Sequence, residues 1–252
     1  MAGSLALLAT PLVLGWLRTR DAAAPPPTPR PSVSATSEPS PEPSPEPSPT
    51  PDPYTSTVAE ATGEAVDVFD RRGDEEPSRA LENPTEVGAP LVFLVERRRS
   101  DWLKVLLPVR PNGSTGWIRS DQVRLTEHDF RIEVYLNRHR LRVYEGPEIL
   151  LKTAIAVGTR DTPTPGGRYY IKELLQPPDP TGPYGTYAYG LSGFSNVLES
   201  FAGGDGVIGI HGTNDPSLIG QDVSHGCIRM TNSAIESLVP VLPLGTPVEI
   251  FE

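Results

Sequence analysis

Residues 207–230 read VIGIHGTNDPSLIGQDVSHGCIRM. This stretch holds the only cysteine of the chain, Cys227, and two of its four histidines, His211 and His225, within 16 positions of it. A thiol with a pKa of about 8.5 is only a few per cent ionised at neutral pH, and a neighbouring imidazole can take its proton and leave a nucleophilic thiolate. Val207 to Ile210 has strand composition and leads into His211, while Cys227 opens the short strand-like piece CIRM. A turn would therefore present the sulfur on a rigid element. Gly212 and Gly226 carry no side chain, so their backbones can approach a substrate closely. Backbone N–H groups around Gly226 and Cys227 could receive the oxyanion of a tetrahedral intermediate. The competing reading of a lone cysteine is a small buried apolar residue. A single cysteine also excludes an intramolecular disulfide and any Cys-rich metal site.

Working outward, residues 127–252 read as one mainly β domain. Phe130, Ile132, Val134 and Leu136 alternate onto one face, and Leu141 to Tyr144 and Ile149 to Val157 follow after turns. Tyr169 to Leu174, Val207 to Ile210 and Pro247 to Phe251 are further strands by length and residue type. One helix is expected, with capping-box spacing at Ser233-Ala234-Ile235-Glu236 and a stop at Pro240. The fold class is thus mainly β, a β-sandwich or partly open barrel. Residues 175–206, rich in Pro, Gly, Tyr and Ser, read as a long lid or binding loop immediately before the strand into His211. Tyr184, Tyr187 and Tyr189 are candidates to line a substrate groove in it.

Residues 54–126 read as a smaller β domain. Its apolar runs include 91–95 and 102–107, and Pro111-Asn112-Gly113 turns between Leu106/Leu107 and Trp117-Ile118. Residues 25–53 contain 13 prolines and the repeat PEPS at 41–44 and 45–48. With few apolar side chains to offset the entropy of ordering, this is a disordered polyproline-II-like spacer, roughly 90 Å long at ~3.1 Å per residue. Residues 1–24 hold an apolar run, Ser4 to Leu17. As a helix it spans roughly 21 Å, short of a ~30 Å hydrocarbon core. The segment is expected to be a signal peptide or an N-terminal membrane anchor.

Charge narrows the partners. The formal net charge is −10, and no Lys/Arg stripe appears, so phosphate neutralisation of nucleic acid is excluded as the chain's business. Only 7% of the residues are aromatic, which argues against a base-stacking platform.

The pair H-G-T at 211–213 and S-H-G-C-I-R-M at 224–230 resembles the signature of the L,D-transpeptidase catalytic domain, the YkuD-like family. The likeness extends through VGTRDTPTPGGRYYI at 157–171, GLSGFS at 190–195 and LGTPVEI at 244–250. SDWLKVLLPVRPNGSTGWIRSDQV at 100–123 resembles the closing strands of bacterial SH3-like domains, which implies a small β-barrel that binds or positions wall polymer.

The first resemblance implies a β-sandwich catalytic domain that needs no metal and no cofactor. Cys227 would attack a peptidoglycan stem tetrapeptide at its diamino acid and release D-Ala as a thioester forms. An amine of a neighbouring stem would then take the acyl group in a 3→3 cross-link. It also implies His211 as base with Gly212 offering a carbonyl to its other nitrogen, and His225 and Gly226 shaping the oxyanion pocket. Arg229, two residues past the nucleophile, could meet a substrate carboxylate with its planar fork. Ser224, Thr213, Tyr187 and Tyr189 join it as substrate-binding candidates, although Ser224 by itself reads as a turn residue. The expected partners are stem peptides and wall polymer, with the protein a monomer outside the cytoplasm, in the cell wall, secreted or anchored to the outer face of the membrane. Two alternatives stay open: the same chemistry with water or a protein amine as acceptor, and a non-catalytic wall-binding protein. A papain-like order is excluded because the histidine precedes the cysteine.

Overall fold

Residues 52–200 and 205–252 are described by a computed structural model. The expected leader or anchor at 1–24 and nearly all of the Pro-rich spacer lie outside these residues.

The apolar runs of the smaller domain become β1 (Ser56–Ala61), β2 (Ala65–Val68), β3 (Arg79–Glu82), β4 (Val92–Arg99), β5 (Trp102–Leu106), β6 (Thr115–Arg119) and β7 (Val123–His128). Five of them form an antiparallel sheet in the order β6-β5-β4-β1-β7, and β2 pairs with β3 in a separate hairpin. Ala59, Val66, Phe93, Leu103, Val105 and Ile118 fill the space between them. The expected 106–117 hairpin forms, with Trp102 opposite Arg119 and Leu106 opposite Thr115. Trp102 and Trp117 are half-buried. Trp102 meets Phe69 edge-on with ring centroids 5.0 Å apart, so it seals the rim of this core.

The larger domain comprises β8 (Phe130–Tyr135), β9 (Arg140–Glu145), β10 (Glu148–Ala154), β11 (Val157–Gly158), β12 (Gly167–Leu175), β13 (Ala188–Phe194), β14 (Val207–His211), β15 (Asp222–Ser224), β16 (Ile228–Arg229), α1 (Asn232–Leu238) and β17 (Pro247–Phe251). Eight strands make one mixed sheet, β10-β9-β8-β17-β12-β13-β14-β16, and β11 and β15 a short parallel ribbon. Val143 of β9 and Ile228 of β16, far apart in strand order, belong to one apolar cluster with Ile171, Leu191, Ile210 and Val248. The sheet therefore curls around a single core, in keeping with the mainly β expectation in its partly open form. Ile235 and Leu238 of α1 plug that core.

Three local readings also change. The expected strand 149–157 breaks after Ala154, and Val157 pairs instead with Asp222. The helix starts at Asn232, capped by the Thr231 hydroxyl accepting from the Ala234 N–H, so Ser233 lies inside the first turn rather than at the cap. The stretch 175–206 is not all loop, because β13 occupies its centre between β12 and β14.

The two domains share side chains. Tyr170 of β12 is fully buried with Val58, Val92, Leu94 and Leu106 of the smaller domain, and its hydroxyl donates to the Val92 carbonyl at 2.9 Å.

Candidate active site

Strands β14 and β16 run parallel, with Ile210 opposite Ile228 and His211 opposite Arg229. Side chains alternate faces along a strand. Ile210 and Ile228 are fully buried in the core, so Gly209, His211, Cys227 and Arg229 all face the other way. Carrying the register back one residue brings Cys227 alongside Gly209, whose backbone favours the ionised form of the sulfur. His211 lies two residues beyond Gly209 on β14 and shares its face. Two short stretches 16 residues apart are thus brought onto one face by a two-residue parallel ladder.

The turn before the nucleophile is held from inside. The Ser224 hydroxyl, 1% exposed, donates to the Cys227 carbonyl and accepts from the Gly226 N–H at 3.1 Å. Gly226 has φ +117°, a region closed to ordinary side chains, so the turn requires glycine there. The 157–165 segment buttresses the turn, since the Thr159 N–H and the Thr162 hydroxyl both donate to the Ser224 carbonyl, at 3.0 and 3.1 Å. These bonds correct two expectations. Ser224 is committed to the turn and has no hydroxyl to offer a substrate. The Gly226 N–H is likewise spent on Ser224 rather than aimed at an oxyanion.

His211 is 3% exposed, and its Nδ1 lies 2.6 Å from the Gly212 carbonyl, as the resemblance implied. A carbonyl oxygen can only accept, so Nδ1 carries the hydrogen and Nε2 of the neutral ring is the basic atom. Tyr184 meets the imidazole edge-on, with centroids 4.9 Å apart. It is close enough to Cys227 and Arg229 for their charges to act on its phenol. Behind this ring, the Asn232 side-chain oxygen accepts from the Thr213 N–H at 3.0 Å. The same oxygen would lie 2.1 Å from a Cβ placed on either Gly185 or Gly212. Gly185→Ala, at φ +66°, should cost at least about 2 kcal/mol and loosen Tyr184 from the imidazole. A thermal melt matching the parent protein would contradict this packing argument.

The tyrosines sort differently from expectation. Tyr189 pairs with Ile210 and lies wholly in the core, on the face away from His211. Tyr187 packs against the same core, and its carbonyl accepts from the Gly212 N–H. Neither lines the face that carries the sulfur; Tyr184 does. Thr213, 2% exposed, exchanges hydrogen bonds with Asp215 and is also unavailable to a substrate. Sequence reasoning passed over Gly209, Gly185 and Asn232, and no local signal marks them. His225 sits exposed on the turn.

Burial sets the protonation states. Desolvation pulls the His211 pKa down to about 4, against the opposing pull of the Gly212 carbonyl, and the Arg229 charge adds to the lowering. Burial pushes the Cys227 thiol up, countered by the Gly209 backbone and by Arg229. Burial thus favours the uncharged form of both groups before a substrate arrives. Arg229 supplies the positive charge, and its Nε is buried without a hydrogen-bond partner. Among the described residues no carboxylate lies within ion-pairing distance of it.

A buried histidine tied to a backbone carbonyl, one face-sharing cysteine and an unpaired arginine now stand together. Residues 129–250 match the family model of the L,D-transpeptidase catalytic domain, YkuD. Over 121 residues the chain is 41% identical to the protein carried as L,D-transpeptidase YkuD in Bacillus licheniformis, and 36% identical to its Bacillus subtilis namesake. Each alignment covers 48% of this chain, and the chain spans 65% of the length of those relatives. Among solved structures, an L,D-transpeptidase from Mycobacterium smegmatis aligns with 65% of this chain and 92% of its own, at 13% identity and a TM-score of 0.41. The L,D-transpeptidase match covers β8 to β17 and leaves the smaller domain outside it.

Proposed function

We propose that this protein is a peptidoglycan L,D-transpeptidase acting through a Cys227 thioester. The reading is supported by the register of β14 with β16, in which His211 stands opposite Arg229, two residues past Cys227, within the matched domain. In the proposed reaction the Cys227 sulfur attacks the carbonyl of the diamino acid in a stem tetrapeptide as its proton passes to His211 Nε2. The tetrahedral intermediate collapses, the C–N bond to D-Ala breaks, and the imidazolium returns the proton to the leaving amine. An amine of a second stem then attacks the thioester, gives up its proton to His211 and restores the thiol. Arg229 is suited to a substrate carboxylate, because its unpaired guanidinium offers planar donors beside the sulfur. His225 and Gly226 hold the turn in the shape that presents Cys227. The smaller domain is assigned contact with wall polymer, and the working location is outside the cytoplasm.

Incubation with purified disaccharide-tetrapeptide, followed by mass analysis, tests the reading. A cross-linked dimer with released D-Ala is the expected product. Tripeptide alone would assign water as acceptor, and unchanged tetrapeptide would overturn the proposal. The pH profile is a second check. Because His211 takes up a proton only near pH 4, kcat/KM should hold level from neutrality to about pH 5 and fall with a midpoint near 4. An acid limb centred on 6.5 would place the base elsewhere.

A further inference from the structure

The turn between β5 and β6, in the smaller domain, grips the far end of the hairpin that carries the site. Arg110 Nη1 donates to the Ser195 carbonyl at 2.8 Å, and its Nη2 donates to the Leu198 and Asp205 carbonyls at 2.9 and 3.0 Å. Its guanidinium carbon stands 4.8 Å over the Phe194 ring. Asn112 completes the grip by accepting from the Phe194 N–H and donating to the Phe194 carbonyl, both at 2.8 Å. Phe194 pairs with Val207 at the loop end of the β13–β14 hairpin, and the Ser195 N–H ties that end to the Gly206 carbonyl.

From Val207 the strand runs only two residues to Gly209, beside the nucleophile, and four to His211. At ~3.3 Å per residue the grip lies about 13 Å from the imidazole-bearing residue along a single strand. No carboxylate among the described residues pairs with Arg110, so its charge is directed at three carbonyls that lack another side-chain donor in these contacts. A planar fork is required, since an ammonium on a flexible stem cannot meet three separated oxygens.

We propose that Arg110 is a positioning residue for the Cys227–His211 pair, so that the smaller domain is part of the catalytic apparatus rather than a passive appendage. By fixing the hairpin at one end, it sets where Gly209 and His211 stand at the other. The kinetic arm of this proposal rests on the acyl-transfer reading above; the two other arms do not.

The test uses the full chain with Arg110→Ala, Arg110→Lys and Asn112→Ala. Three quantities are read: kcat and KM on disaccharide-tetrapeptide, the pH dependence of Cys227 alkylation by iodoacetamide, and amide exchange over 207–211. The single cysteine makes the alkylation unambiguous. For Arg110→Ala we expect kcat to fall about 10- to 100-fold with KM little changed. The alkylation midpoint should move up, because the Gly209 backbone that favours the ionised sulfur is displaced, and exchange over 207–211 should quicken. Arg110→Lys should recover only part of each change. Should Arg110→Ala fail to fold, Asn112→Ala carries the same expectations in the same directions. A wild-type alkylation curve with wild-type exchange in the variants overturns the proposal, whatever happens to kcat, since it would make the contact a weld between domains and nothing more. If the parent protein does not turn over tetrapeptide, the functional reading fails while alkylation and exchange still decide the positioning role.

Discussion

Cys227→Ala is expected to abolish turnover of a stem tetrapeptide while leaving the fold intact. The side chain is half-buried and lies outside the core clusters. Removing the sulfur therefore takes away little packing, and the melting temperature should stay close to that of the parent. Activity depends on the sulfur completely, because no thioester can form without it. Loss of a covalent nucleophile that acts as a unit with its base reduces kcat on the order of 10⁶-fold in comparable systems. The measurement is mass analysis of products after prolonged incubation. Retained dimer or tripeptide would remove Cys227 from the mechanism.

His211→Gln should slow acylation by about 10²- to 10⁴-fold, the usual worth of a general base. Glutamine can still donate to the Gly212 carbonyl, so the local backbone need not shift, yet it offers no nitrogen able to take the thiol proton. Because burial pushes the thiol up, ionised sulfur is disfavoured and cannot readily bypass the missing base. The same substitution has a stability signature whose sign follows from linkage. The unfolded chain protonates this histidine near 6.5, the folded chain only near 4, so between those values the unfolded state binds more protons. The folded protein therefore loses stability as pH falls from about 6.5 to 4, by up to about 3 kcal/mol from this group. His211→Gln should lack that component and show a shallower loss on acidification. Denaturation curves of equal pH slope for both proteins would mean that His211 is not buried neutral.

Much of this was readable from sequence where one face of a strand is wet. The alternation from Phe130 to Val134 and the strand into His211 appear where periodicity put them, because a half-buried strand writes its orientation into every second residue. β13 was hidden for the opposite reason. Residues 189–194 are buried on both faces, and a run of Gly, Ser and Tyr at such a position has no period to detect. Cys227 and His211 stand out in the sequence as candidates because they lie in one contiguous motif. The choice of tyrosine was not: parity along β13 turns Tyr187 and Tyr189 inward, and that parity is fixed by pairing with β14 rather than by local composition. Ser224 and Thr213 look like free hydroxyls in a string of letters and prove committed once the turns close. Arg110 acts on carbonyls 85 to 95 residues away, and no pattern within its own turn points to them.

The socket for Tyr170 bears on how such proteins can be recombined during evolution. Its ring and hydroxyl are housed by Val58, Val92, Leu94 and Leu106, which belong to the neighbouring domain. A lineage that exchanged that neighbour for an unrelated module would inherit an orphaned phenol on its sheet. It would have to supply a new apolar cradle and a new acceptor, or replace the tyrosine. The two halves of this chain are accordingly expected to travel through descent as one heritable block.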